Sequence, residues 1–235
     1  QAKTLFPYTT LFRSITVLAE MEAYGVFIDR NILKKLSHEW SLRLNLIMEE
    51  TFKESGTDFN LNSPKQLIQI LFEKMNLPVT EKTPKGEPST NESVLKELAL
   101  HFKIAQLLLE HRHLSKLKST YADKLALMIN PTTERLHTQY QQAVAVTGRL
   151  SSMAPNLQNI PMKTLEGRKI RSAFIAPPNK KIIAADYSQI ELRIMADLSQ
   201  DPRLLLAFHE CKDIHRTTAS EVLGVSEHEI TDEQR

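Results

Sequence analysis

Apolar residues recur at three- and four-residue steps through most of this chain, the mark of helices that bury one face. From Ile15 to Met48 the pattern is helical except at Tyr24–Asp29, where Gly25 and the β-favouring Val26, Phe27 and Ile28 predict a short extended stretch. Asp29 is placed to cap the next helix, in which Ile32, Leu33, Leu36, Trp40, Leu44 and Ile47 form one apolar face. Asn62-Ser63-Pro64 is a second start signal, with Ser63 as cap and Pro64 at the first helical position, and its helix is expected to run to about Met75. Pro78, Pro84, Gly86 and Pro88 predict a loop, after which Thr90 or Asn91 caps a helix over Glu92–Leu100. A long helix follows from about Ile104 to Met128. Leu114, Leu117, Tyr121, Leu125 and Met128 lie on one side of it, Arg112, Lys116 and Ser119 on the other, and Asp123 shares the polar side. Asn130-Pro131 ends it. Strand character then appears at Leu136–Tyr140, Ala143–Val146 and Lys181–Ala185, before helical patterns return at Ile190–Leu198, Arg203–Phe208 and Ile214–Leu223. Helices, a few strands, then helices predict an α+β, mostly helical fold rather than a parallel βαβ sheet.

Thr4 to Ser14, TLFPYTTLFRS, has no amphipathic period and no small-residue cleavage site, so it reads as neither a signal peptide nor a helix. It is similar to the read-through of a sequencing-library adapter. Residues 1–14 are therefore set aside, and native sequence is expected to begin near Ile15; cloning from the source genome tests this.

The 235 residues are 41% hydrophobic and 25% charged, enough to bury a core in one large or two small domains. No apolar run approaches the roughly 18 to 20 residues of a membrane span, which argues against a membrane role. The single cysteine, Cys211, cannot form an internal disulfide, and no Cys/His spacing resembles a zinc site, so a reducing, cytoplasmic setting is expected. A net charge of +2 and a pI near 8.6 are too mild to announce a nucleic-acid partner.

The most informative run is Lys180 to Ser199, KKIIAADYSQIELRIMADLS. An apolar segment of strand character ends at Asp186, and the chain turns at once into a helix whose inner face would hold Ile190, Ile194 and Leu198. A carboxylate so fixed suits Mg²⁺, which takes one or two carboxylates plus substrate phosphates. Two-metal phosphoryl transfer needs at least two converging carboxylates. A plainer reading stands beside it: Ser188-x-x-Glu191 has the form of a capping box, and Asp186 or Ser188 would then only satisfy free helix amides. Chemistry alone leaves both open.

DYSQIELR at Asp186–Arg193 is similar residue by residue to the first palm motif of family A, bacterial polymerase I-like DNA polymerases. TGRLSS at Thr147–Ser152, PNLQNIP at Pro155–Pro161 and KDIHR at Lys212–Arg216 resemble the same family in the same order. The likeness extends through KLKSTYADKL at Lys116–Leu125 and EMEAYGVFID at Glu20–Asp29, and covers about Ile15 to Arg235. The resemblance implies part of a right-hand polymerase: a helical thumb with its connecting helix over 15–132, the first part of an antiparallel palm over 133–200, and the start of the fingers over 201–235. It implies primer-template DNA and deoxynucleoside triphosphates as partners, two Mg²⁺ ions in the complete enzyme, and a monomer.

Residue by residue, it implies that Asp186 and the Tyr187 carbonyl hold metal. Tyr187, Ser188, Gln189 and Glu191 would lie at the incoming nucleotide, with Glu191 crowding out a ribose 2′-hydroxyl. His215, near Lys212, and Arg235 would meet the triphosphate. Arg149, Asn156, Gln158 and Asn159 would follow the primer-template, where minor-groove acceptors are nearly alike for every correct pair. Arg112, Lys116 and Ser119 would grip phosphates. The plainer alternatives are turn chemistry for the Asn and Gln residues, a solvated face for the thumb residues, and a structural histidine. The second palm aspartate and the rest of the fingers helix do not occur in the sequence, since Asp197 and Asp213 lie at or beyond helix ends, so this chain alone is expected not to polymerise. Two other classes are weighed: a non-catalytic DNA-binding module, and a single-subunit RNA polymerase, in which a small residue is expected where Glu191 stands.

Overall fold

The structure, a computed structural model, describes residues 8–210 and 212–234. The chain divides into two units, Gln1–Ile182 and Ile183–Arg235.

The first unit opens with helix α1 (Tyr8–Tyr24), strand β1 (Val26–Phe27) and the long helix α2 (Arg30–Ser55). α1 begins inside the string expected not to be helical. The sequence from Tyr8 to Tyr24 holds no Gly or Pro, so a helix nucleated over Ile15–Tyr24 propagates backward without interruption. Asp29 caps α2 as expected, its Oδ1 accepting from the amides of Asn31 at 2.8 Å and Ile32 at 3.3 Å. Gly56 ends the helix at φ 67°, a left-handed turn that favours glycine.

Helix α3 (Pro64–Ile68) starts at the Ser63 cap and widens into a π-helical turn over Gln69–Lys74. Helix α4 (Glu92–Leu98) is capped by Asn91, which accepts from the Val94 amide at 2.9 Å. The long helix predicted over 104–128 forms as α5 (Lys103–Leu117), a π-helical turn (Lys118–Asp123) and α6 (Lys124–Met128). Leu117, Tyr121 and Leu125 are separated by two successive four-residue steps, each overshooting an α-turn by about 40°. The wider turn removes that drift, and all three stay buried.

Strand β2 (Arg135–Leu136) pairs antiparallel with β1, and β3 (Gln139–Gln141) pairs antiparallel with β4 (Ser151–Met153). Helix α7 (Leu165–Arg171) closes the unit. Two strand expectations fail. Gln141 opposes Ser151, which makes 142–150 the hairpin connection, so Ala143–Val146 runs in bends with Val146 101% exposed. Lys181–Ala185 is unpaired: among the described residues no strand lies alongside it, and Ile183 is 89% exposed. An apolar run becomes a strand only when a neighbour takes its amides and carbonyls.

Two apolar clusters hold this unit. In one, Leu33, Leu36, Trp40 and Ile47 of α2 meet Leu114, Leu117, Leu125, Leu136 and Ile170. In the other, Leu67, Leu71, Leu95, Leu98, Ile104 and Leu108 pack together. Each fully buried Leu or Ile contributes about 1.5–3 kcal/mol by leaving water.

The second unit contains α8 (Ile190–Ser199), α9 (Pro202–His209), α10 (Ile214–Leu223) and a 3₁₀ turn at Glu227–Glu229. Asp201 caps α9 and Asp213 caps α10, each accepting two backbone amides. Arg193 of α8 stacks over Phe208 of α9, 4.5 Å from the ring centre. Arg216 gathers the C-terminal turn by donating to the Ile230 carbonyl at 2.6 Å and pairing with Asp232 at 3.0 Å. The face of α8 expected to be inward is outward: Ile190, Ile194 and Leu198 are all exposed.

Candidate nucleic-acid interface and catalytic carboxylate

A cleft of about 710 Å³ in the first unit joins two walls. The helical wall supplies His113, Lys116, Thr120 and Lys124; the other is the chain from Ser152 through Pro155 to Asn159 and Pro161. Four-residue steps align Lys116, Thr120 and Lys124 on one helix face, while Leu117, Tyr121 and Leu125, one position later, turn into the core. Neither Lys116 nor Lys124 makes an ion pair among the described residues, whereas Lys118 is tied to Asp123 at 2.7 Å. Asp123 does not share the cleft face. Its carboxylate turns to α2 and accepts from Ser37 at 2.5 Å. Burial raises the Asp123 carboxyl, but hydrogen bonds from Lys118 and Ser37 and the lysine charge together bring it below its usual value.

The loop wall is built from hydrogen bonds that its own sequence provides. Asn156 Oδ1 accepts from the Gln158 amide at 3.0 Å, an Asx turn. Gln158 spends both ends of its amide on the β4 region, accepting from Ser152 N at 3.2 Å and donating to the Leu150 carbonyl at 2.9 Å. Ser152 Oγ accepts from Leu157 N at 3.1 Å, and Thr138 Oγ1 donates to the carbonyls of Met153 and Pro155. Asn156 and Gln158 thus carry turn chemistry, and Asn156 still lines the cleft.

The structure therefore brings Lys116, Asn156 and Asn159 together. It places four other expected contacts elsewhere. Arg112 is half-buried and donates to the Thr90 carbonyl at 2.6 Å. Ser119 is exposed and donates back to the Lys116 carbonyl at 3.3 Å. Arg149 is exposed on the β3–β4 connection, and Gln158 is outside the cleft lining. Lys124, Thr120 and His113 were missed in the sequence; the spacing of Lys116, Thr120 and Lys124 was the available signal.

In the second unit, Asp186, Tyr187 and Ser188 are exposed, Tyr187 at 80%. Gln189 enters α8 at φ 54°, and no side chain caps that helix, so the capping box read at Ser188 and Glu191 does not form. Instead the Ser188 carbonyl accepts from Arg193 Nε at 3.0 Å, which braces the turn after Asp186. Glu191 stands in the first turn of α8. Lys212 pairs with Glu210 at 2.6 Å, and that hydrogen bond, with the glutamate's charge, raises the ammonium above its ordinary value. His215 is exposed in the first turn of α10, beside a hollow of about 430 Å³. Arg235 and Cys211 lie outside the described residues.

A carboxylate such as that of Asp186 and a backbone carbonyl such as that of Tyr187 are oxygen donors, the kind a hard divalent cation takes. Among the described residues no cluster of three or more His, Cys, Asp or Glu is able to hold a metal.

The chain matches the model of DNA polymerase family A over residues 30–235 and belongs to that family. It is 51% identical over 222 residues to DNA polymerase I of Pseudomonas aeruginosa, covering 94% of this chain and 24% of that protein. It is 45% identical over 220 residues to DNA polymerase I of Geobacillus stearothermophilus, covering 93% and 25%. Among solved structures it resembles the POL domain of Pol1 from M. smegmatis in complex with DNA primer-template and dNTP, with a TM-score of 0.81 and 40% identity over 92% of this chain and 38% of that one. The chain spans about a quarter of the length of the curated relatives it matches.

Proposed function

We propose that this chain is the thumb and early palm of a template-directed DNA polymerase that adds deoxynucleotides to a primer 3′ end. The observation that carries this reading is the cleft in which Lys116 and Lys124 face Asn156 and Asn159. Two ammonium groups that make no ion pair among the described residues, on one helix face, suit phosphates at fixed spacing, and amide side chains opposite them suit the nearly sequence-independent acceptors of a minor groove. A template-copying enzyme needs such a surface, because it must grip every sequence equally. The solved relative's complex with primer-template and dNTP supports the same partners. Arg149, on the exposed connection, is assigned to the primer end.

Asp186 and the Tyr187 carbonyl would hold Mg²⁺, which when bound supplies charge stabilisation to the phosphoryl group being transferred. Arg193 braces the turn that carries Asp186, and Glu191 one turn on excludes a ribose by clash with its 2′-hydroxyl. Ser188, Gln189, His215 and Arg235 are assigned to the incoming nucleotide. Residues 15–132 are read as thumb, 133–200 as palm and 201–235 as the start of the fingers. No helix among the described residues is long and apolar enough to cross a membrane, and a cytoplasmic monomer is proposed. Light scattering on the intact protein that gave a dimer mass would remove the last assignment.

Primer extension by the intact protein tests the whole. The expected result is Mg²⁺-dependent, template-dictated addition of deoxynucleotides, with Glu191→Ala admitting ribonucleotides. Equal use of both sugars by the wild-type protein would point to an RNA polymerase instead.

A further inference from the structure

Tyr121 is the one member of the buried series Leu114, Leu117, Tyr121 and Leu125 that carries a polar tip. The residue is only 9% exposed and lines the cleft, and its hydroxyl donates to the Asn159 carbonyl at 2.5 Å. Among the described residues this is the one hydrogen bond that joins the helical wall to the Pro155–Pro161 loop. Burial raises the phenol above its ordinary value, so the hydroxyl stays protonated and remains a donor.

The ends of the same loop are fixed by other means. Thr138 Oγ1 holds the Pro155 carbonyl at 2.7 Å. At the far end, Gly167 of α7 lies so close to Pro161 that an added Cβ would sit 2.7 Å from the proline's Cβ and carbonyl oxygen. Between those ends Leu157 and Gln158 are tied to the β4 region and Leu157 and Ile160 pack on the core, while Tyr121 supplies the one direct hydrogen bond, among the described residues, from the helix to the loop. Under the DNA-binding reading, the separation of the two walls would decide whether Lys116 and Lys124 meet a backbone at the same time as Asn156 and Asn159 meet a groove.

We propose that Tyr121 is a positioning residue for primer-template engagement, its hydroxyl setting the spacing between the lysine face and the asparagine loop. The inference rests on the DNA-binding reading above. It acts through the Asn159 carbonyl and touches no reacting atom. Preorganised walls bind a rigid duplex without first ordering themselves, so losing the tie weakens binding rather than chemistry.

The test is Tyr121→Phe in the intact protein, which keeps the ring and deletes the hydroxyl. Without DNA, hydrogen exchange at the Leu157 to Ile160 amides is expected to quicken. With DNA, primer-template Kd and KM are expected to rise about threefold to tenfold, the effect of one hydrogen bond, while kcat at saturating DNA holds at the wild-type value and Tm falls by no more than the few degrees that one lost hydrogen bond explains. Unchanged exchange in the loop overturns the positioning role whether or not the protein binds DNA. Faster exchange with unchanged Kd overturns its bearing on DNA. A Tm loss that accounts for the weaker binding shows a merely structural tyrosine. Failure of the wild-type protein to bind primer-template defeats the DNA reading and this inference with it, whereas the exchange result reports on the loop alone.

Discussion

Replacing Lys116 and Lys124 together by alanine removes both cations from the helical wall of the cleft. Both are exposed and neither makes an ion pair among the described residues, so the change orphans no carboxylate. Alanine is the strongest helix former, so the wall itself should persist. If each lysine holds one phosphate, the double variant gives up two counterion-releasing contacts, and the slope of log K against log salt should become shallower by about 1.8. At about 0.1 M salt the same two contacts amount to about 1.8 decades of affinity, or about 2.5 kcal/mol. The assay is fluorescence anisotropy of a labelled primer-template between about 50 and 300 mM potassium chloride. Lys118→Ala is the control, because its ammonium is already held by Asp123 at 2.7 Å and its loss should leave the slope alone. Weaker binding with the wild-type slope would refute phosphate contact, and an equal slope change in the control would reduce the effect to net charge.

Gly167→Ala should destabilise the protein by up to about 2 kcal/mol, because the Pro161 contact costs about 1–3 kcal/mol against the roughly 1 kcal/mol that alanine gains in a helix; a urea midpoint that rises would contradict the close approach. His111 is buried with Nδ1 lacking a partner among the described residues, and burial, then the Arg112 charge, lowers its imidazole from 6.5. Its neutral form is favoured when folded, so stability is full above pH 6.5 and falls as pH drops through the folded value; His111→Leu should add about 1 kcal/mol and flatten that acid limb in a Tm series. Asp123 has the opposite provenance but the same sign: its depressed carboxyl stabilises the fold above its ordinary 3.8 and stops doing so as pH falls through the lower folded value. Asp123→Asn should therefore lower Tm at neutral pH, and the gap from wild type should close below pH 3.8.

Local chemistry was readable in the sequence, and what depends on a distant partner was not. Asp29, Ser63-Pro64, Asn91 and Asn130-Pro131 mark element ends because a cap needs only amides a few residues away. Lys181–Ala185 and Ala143–Val146 have strand composition, yet one has no strand beside it and the other is consumed by a hairpin connection whose length the Gln141 to Ser151 register sets. The π-helical turn over Lys118–Asp123 was foreshadowed by consecutive four-residue steps, but only packing against α2 shows that Asp123 leaves the polar face for Ser37. At the site, Lys116 was expected on a helix face and Asn156 and Asn159 on a separate polar loop, and the fold lines one cleft with all three. Lys124 was missed because charge on a helix says nothing of which wall it faces until the opposing loop is in place.

The most direct measurement compares primer extension with primer-template affinity for Asp186→Asn in the intact protein. Nucleotide addition should fall by about a thousandfold or more while Kd stays near wild type, since the lost carboxylate lies in a different unit from the cleft proposed to bind DNA. Copying at the wild-type rate by that variant would contradict the account at its centre.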